Sequence, residues 1–263
     1  MKALLLNFTT EKEDFVRCLH RLGCATTFGA APDSDVNLVF VHTLRSLTEV
    51  GPYVQALCHL FVQRHALLPG EAQQLGKLVA EAGVKLQFSA SQLYEWRIFD
   101  VLQQVGEVKL VQVYIDFEGS KPPAVSGLHA EAMAVAGAVK AKLGKVEKLR
   151  AIVPRNVSVL GFRADFVNTA SAYFWLSSGA LTARHELRFF GSKGIAVVNV
   201  LKRAADAKAF DGEMLSFPFL SEAESREKEL ASFVAGLRSE EPPFISIAEA
   251  TVQQEIMRHS LLT

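Results

Sequence analysis

Apolar runs alternate with amphipathic stretches along the first third of the chain. The clearest case is residues 61 to 88, FVQRHALLPGEAQQLGKLVAEAGVKLQF: an apolar run, a Pro-Gly break, a helical repeat and a second apolar run. Leu75, Leu78, Val79 and Ala82 recur at helical spacing. Pro69 stands near the helix start, where a missing N–H does no harm, and Gly83 can take the left-handed conformation that closes a helix. Val84 to Phe88 reads as a buried parallel strand, so the stretch predicts a strand–helix–strand crossover. Upstream, Ala3 to Leu6 predicts a short strand ending at Asn7. Thr10 and Glu13 match a capping box, and Phe15, Val16, Leu19 and Leu22 mark one face of a helix closed by Gly23. Strands near Cys24 to Phe28 and at Val36 to Val41 flank a turn-rich segment, Gly29 to Asp35.

Beyond Phe88 the pattern changes. A helix is expected over about Ser91 to Gln104, then a strand over Val108 to Phe117, a polar stretch over Glu118 to Ser126, and a helix of small residues from His129 to about Leu143. Strands at Glu147 to Val153, Ser158 to Val167, Ala170 to Leu176, Ala183 to Phe190 and Ile195 to Val200 follow, separated by Gly, Ser and Asn turns. The end returns to helix, about Glu222 to Arg238 and Ile247 to His259, broken at Glu241-Pro242-Pro243.

The fold class read from this order is α/β plus α+β: a reduced Rossmann-like, doubly wound parallel sheet followed by a mixed or antiparallel open-faced sheet. The domain expectation is 1–90 for the Rossmann-like part and 91–263 for the second sheet, whose terminal helices return towards the first. A doubly wound sheet binds ligands beyond the carboxyl ends of its strands, which here carry Asn7, His42 to Leu44, and Gln63 to His65. A formal net charge of zero argues against a nucleic-acid partner. Cys18, Cys24 and Cys58 have no zinc or redox spacing and their odd number builds no disulfide framework, which points to a reducing cytoplasm. No apolar run reaches the roughly 18 residues of a membrane span. Scattered histidines without a Cys or carboxylate partner at recognisable spacing give no metal site.

Several segments together resemble the Gfo/Idh/MocA family of NAD(P)-dependent sugar and polyol oxidoreductases. VQRHALLPGEAQQLGKLVAEAGVKLQF looks like the family's Glu-Lys-Pro segment with its following helix and strand. VGEVKLVQV looks like the strand that opens the substrate domain, GLHAEAMAVAGAV like the helix bearing a catalytic histidine, and HELRFFGSKG like the late strand ending in Gly-Thr/Ser-x-Gly. The tail LASFVAGLRSEEPPFISIAEATVQQEIMRHS is similar to the terminal helices. The resemblance implies a nicotinamide site at Asn7, Thr9 and His42, and catalytic positions at His129, Arg64 and His65.

Departures from the family pattern change that expectation. Asn7, Thr9 and Lys12 stand where the family has the glycines that let backbone approach a pyrophosphate. Glu11, Glu13 and Asp14 add carboxylates to the same helix start, where they satisfy the dipole and repel phosphate. The segment Phe28 to Asp35 lacks the usual extra helix and strand of the adenosine half. Gln63, Arg64 and His65 replace the Glu-Lys-Pro triplet; Arg64 keeps a charge but is a poor proton carrier. Val125 replaces the acid of the Asp-x-x-x-His element, while Gly127 and His129 remain. His129 alone reads either as a capping or packing residue or as a proton carrier.

The expected function is therefore an oxidoreductase-like protein that has lost NAD(P) binding and serves as a binding or assembly subunit, with no cofactor. The alternative is an active NAD(P)-dependent enzyme on a sugar- or polyol-like substrate with an altered cofactor site. His42, Arg64, His65 and His129 are the candidates for a small polar-ligand pocket. The open face of the second sheet would expose apolar side chains, from among Phe162, Phe166, Phe174, Leu176, Leu187 and Phe189, unless a partner covers them; which of these point outward depends on register, since a one-residue slip exchanges faces. A homodimer through that face is expected, with a heteromer containing an intact paralogue as the variant.

Overall fold

The structure is a computed structural model, and it describes residues 1–8, 12–29, 35–65, 67, 69–118, 128–140, 145–153, 158–237, 239 and 245–262. The first elements are β1 (Lys2–Leu6), α1 (Lys12–Arg21), β2 (Ala25–Phe28), β3 (Leu38–Leu44), α2 (Gly51–Gln55), β4 (His59–His65), α3 (Pro69–Ala82) and β5 (Leu86–Phe88). Next come α4 (Ser91–Glu95), α5 (Ile98–Val105), β6 (Val108–Glu118), α6 (His129–Val139), β7 (Val146–Val153), β8 (Val159–Phe166) and β9 (Ser171–Ala180). The chain closes with β10 (Arg184–Gly191), β11 (Gly194–Asn199), β12 (Ala204–Ala209), β13 (Met214–Pro218), α7 (Glu222–Gly236) and α8 (Ile247–Leu262). Two compact units result, Met1–Ser91 with Ala223–Thr251, and Gln92–Glu222 with Val252–Thr263.

The first unit holds a parallel sheet in the order β2-β1-β3-β4-β5. Its strands are near-continuous apolar runs because both faces are covered: Leu38, Val39, Phe40 and Val41 are all fully buried. On one face, Phe15 and Leu19 of α1 and Leu230, Phe233 and Val234 of α7 close over Leu5, Phe40 and Phe61. Phe233 meets Phe61 at a ring separation of 5.4 Å and Phe40 at 6.5 Å. Helix α7 is pinned at its end by Lys85, whose Nζ donates to the carbonyls of Gly236 and Ser239, the pairing that a helix C-terminus favours. Gly23 and Gly83 take φ of 75° and 66°, as expected of residues closing α1 and α3.

The second unit is built on an eight-stranded mixed sheet, β13-β12-β11-β10-β6-β9-β8-β7, in which β6 and β9 run parallel and the other pairs antiparallel. Strands β12 and β13 were not expected from the sequence. The helix expected over Ser91 to Gln104 is two helices, broken at Arg97, which takes the left-handed conformation at φ 59° and pairs with Asp100 at 2.5 Å. The Gly191-Ser-Lys-Gly194 turn is fixed by close backbone approach: a Cβ on Gly191 would lie 2.2 Å from the Val105 carbonyl oxygen.

Register decides which face the large apolar side chains take. Phe162, Phe166, Phe174, Leu176, Leu187 and Phe189 are all 0–1% exposed and share the covered face of this sheet. The opposite face carries polar and aromatic residues, because side chains alternate along each strand: Arg163 and Asp165 on β8, Tyr173 and Trp175 on β9, Arg184, Glu186 and Arg188 on β10.

Candidate functional site

In the first unit the chain runs from β1 out to β2 and back across β1 to β3. The switch point, where doubly wound sheets place their ligands, therefore lies beyond the carboxyl ends of β1 and β3. Leu6 pairs with Val41, so Asn7 and His42 each stand one step past that pair. Asn7 takes φ 59°, a left-handed conformation that a short polar side chain tolerates and glycine adopts freely. The chain turns sharply there and directs Phe8 inward. The Phe8 ring packs edge-on against Phe15 at 5.1 Å and against His42 at 5.4 Å, and His42 Nδ1 lies 3.1 Å from Thr43 Oγ1.

Glu13 and Asp14 lie in the first turn of α1, with Asp14 paired to Arg17 at 2.5 Å. Arg64 and His65 end β4, paired in register with Thr43 and Leu44; their side chains, together with Thr9, Thr10 and Glu11, lie outside the described residues. Sequence reasoning placed Asn7, His42, Arg64 and His65 at the strand ends, and the backbone puts them there. It missed Phe8, whose signal was an aromatic residue two positions past the β1 run.

A buried carboxylate sits beyond the end of β5. Glu229 of α7 accepts hydrogen bonds from the Ser89 hydroxyl at 2.8 Å and from the Ala90 N–H. Burial pushes its carboxyl up to about 7 against the opposing pull of those donors and of Arg226.

In the second unit His129 is the first residue of α6 and is exposed. Its Nδ1 lies 2.9 Å from Gln253 Nε2. An amide nitrogen only donates, so Nδ1 accepts and the neutral ring carries its proton on Nε2. Val125 and Gly127 lie outside the described residues. Two positions on, Glu131 points the other way and is 2% exposed. Its Oε1 lies 2.7 Å from His185 Nε2, and its Oε2 has no hydrogen-bond partner among the described residues. The Trp96 ring stands edge-on to His185 at 5.8 Å. Helix α6 is buried along its length from Glu131 to Val139, and Glu131 is its one acidic residue. Sequence reasoning missed this pair. The signals were a lone carboxylate in HAEAMAVAGAV and a histidine in phase with the inward-facing Leu187 and Phe189.

The open face of the same sheet is a network of guanidinium groups and aromatic rings. Arg184 and Arg188 both donate to Glu186 Oε2 at 3.0 Å, and Arg184 lies 3.9 Å over the Tyr114 ring. Burial raises the Glu186 carboxyl, but the two arginines outweigh it and hold the group below the usual carboxylate range. Asp165 is held down in the same way, against burial, by Ser171 and Arg163. Among the described residues no group of three or more His, Cys, Asp and Glu is placed to hold a metal ion, and no helix is long and apolar enough to cross a membrane.

No protein-family model and no curated protein sequence matches the chain. Solved structures do. The UDP-N-acetylglucosamine 3-dehydrogenase of Acidithiobacillus ferrooxidans is 12% identical, with 100% of this chain and 97% of that one covered at a TM-score of 0.69. An NAD-binding oxidoreductase from Klebsiella pneumoniae is 13% identical, with 100% and 88% covered at 0.67. An Agrobacterium radiobacter oxidoreductase, solved with NAD+, L-tartaric acid and magnesium, is 13% identical, with 98% and 94% covered at 0.67. The chain therefore shares the fold of these structures, a parallel Rossmann-like sheet followed by a mixed sheet, as the Gfo/Idh/MocA resemblance implies.

Proposed function

We propose that the chain is a binding or assembly subunit on an oxidoreductase-type fold and does not carry NAD(P) in the crevice above β1 and β3. The observation that carries this reading is Phe8, packed between Phe15 and His42 beside the left-handed Asn7. A pyrophosphate needs bare backbone N–H groups at a glycine-lined helix start. An aromatic ring in that place, with Glu13 and Asp14 in the first turn of α1, does not fit it. The short connection from Phe28 to Leu38 leaves no room for the further helix and strand of an adenosine half.

The partner is a second copy of the chain, joined through the open face of the eight-stranded sheet. Trp175, Tyr114, Arg184 and Arg188 supply the residue types that dominate binding energy at protein interfaces. The three free cysteines fit a cytoplasmic setting.

Calorimetric titration with NADH and NADPH, checked by thermal shift, tests the cofactor half of the proposal. No saturable heat and no shift is the expected result. A ligand at about 100 times its dissociation constant would stabilise the fold by about 2.7 kcal/mol, and a rise of that size overturns the reading. Sedimentation of wild type and Trp175→Asp tests the partner half: a dimer that dissociates in the variant is expected. A monomeric wild type, or a complex only with an intact paralogue, overturns the homodimer.

The second reading is an active NAD(P)-dependent oxidoreductase on a sugar- or polyol-like substrate. The observation favouring it is His129, an exposed residue whose Nδ1 is held by Gln253, which leaves Nε2 to carry the proton that a donor would need. Saturable nicotinamide binding that survives His129→Gln, with turnover lost, would establish it.

A further inference from the structure

We propose that Glu131 and His185 form a reactive dyad in the second unit, with His185 as base or nucleophile towards a small uncharged carbonyl-bearing ligand and Glu131 as its positioning residue. The contact is 2.7 Å, between Glu131 Oε1 and His185 Nε2. A carboxylate only accepts, so Nε2 donates and the neutral ring leaves its Nδ1 lone pair free. Among the described residues Nδ1 has no hydrogen-bond partner, and the side chain is 22% exposed, so the ring is oriented without being fully buried. Trp96 fixes the ring from the side as an apolar wall, which suits an uncharged ligand better than an ionic one.

The buried carboxylate is costly to keep, at 2% exposure with Oε2 without a partner among the described residues, in a helix whose other buried residues are apolar. A residue that only filled space there would be apolar. A carboxylate behind an imidazole does two things that packing does not. It selects the Nε2–H tautomer, and it stabilises the positive charge that forms on the ring when Nδ1 accepts a proton or attacks a carbonyl. The dyad needs no nicotinamide, so it stands or falls separately from the reading of the crevice.

Diethyl pyrocarbonate is the probe. The Nδ1 lone pair attacks one carbonyl carbon and the C–O bond to the ethyl carbonate leaving group breaks. The Nε2 proton passes by way of Glu131 and water to that group, which leaves as ethanol and carbon dioxide, and a neutral acyl-imidazole remains. Rates at each of the seven histidines of the full-length protein are read by peptide mass spectrometry. Glu131→Gln keeps an acceptor at Oε1 and removes the charge. It is expected to slow acylation of His185 about tenfold while leaving His129 unchanged.

An equal rate at His185 in wild type and Glu131→Gln, or no acylation of His185 where His129 reacts, overturns the proposal. Should Glu131→Gln fail to fold, nitrogen-15 NMR of wild type decides: an Nε2–H tautomer at His185 supports the dyad and an Nδ1–H tautomer overturns it.

Discussion

At the carboxyl end of the first unit's sheet, the residue after Asn7 is a phenylalanine whose ring packs on Phe15 and His42. On the inner face of the second unit's sheet, a carboxylate and an imidazole are held together under Trp96. The fold would place a polar ligand at the first location, and there an apolar ring extends the core outward. Packing alone would place apolar side chains at the second, and there a charged group is retained. Burying Phe8 beside Phe15 removes apolar surface from water, a gain that needs no ligand. Burying Glu131 costs free energy unless its partner compensates, and only Oε1 is compensated. A feature that stabilises by itself explains its own presence; one that costs stability points to another use.

The largest effect is expected where the first unit's core is breached. Phe40 is fully buried and packs on Phe15, Phe61 and Phe233, so Phe40→Ala leaves a cavity that α7 cannot collapse into. A loss of about 4 kcal/mol in urea denaturation is expected. A loss under about 1 kcal/mol would mean that the aromatic column does not support Phe8.

His185→Leu comes next. It leaves Glu131 buried with no partner on either oxygen, for an expected loss of about 3 kcal/mol. The double change Glu131→Leu with His185→Leu removes the stranded carboxylate and is expected to recover most of that loss. A double variant as unstable as the sum of the single ones would show that the two side chains do not act as a pair.

Glu229 gives the first unit a pH dependence. Burial raises its folded carboxyl from 4.5 to about 7, so its contribution is fully present below about pH 4.5 and is lost as pH rises through 7. Between about pH 5 and 8 wild type is expected to lose about 2.5 kcal/mol relative to Glu229→Gln, whose amide keeps an acceptor for the Ala90 N–H. Parallel stability curves for the two proteins across that range would refute it.

Much of the first unit was legible because parallel strands covered on both faces read as unbroken apolar runs, and α1 and α3 carry a clear helical repeat. The second unit was less so. Strand β12 is Ala-Ala-Asp-Ala-Lys-Ala, which has no intrinsic preference for a strand and becomes one by pairing between β11 and β13. The break at Arg97 interrupts a pattern that is helical on both sides, and the buried Trp96 and the Arg97–Asp100 pair lie at it. Strand ends located Asn7 and His42, since the end of an apolar run is visible in one dimension. The Glu131–His185 pair joins residues 54 apart, and only the register of β10 turns His185 inward.

The smallest effect is expected at Asn7, and it bears most directly on the contrast between the units. Its φ of 59° is what turns the chain off β1 and carries Phe8 onto Phe15 and His42. A Cβ-bearing residue with no polar atom to bond locally is strained there. Asn7→Ala is expected to lose about 1 kcal/mol, while Asn7→Gly, free of that strain, stays within about 0.5 kcal/mol of wild type. Both are read as shifts in Tm alongside an NADH titration. If Asn7→Ala melts with wild type, the left-handed turn does not shape the crevice. If Asn7→Gly gains saturable NADH binding, the Asn7 side chain, and not the Phe8 ring, is what keeps the dinucleotide out.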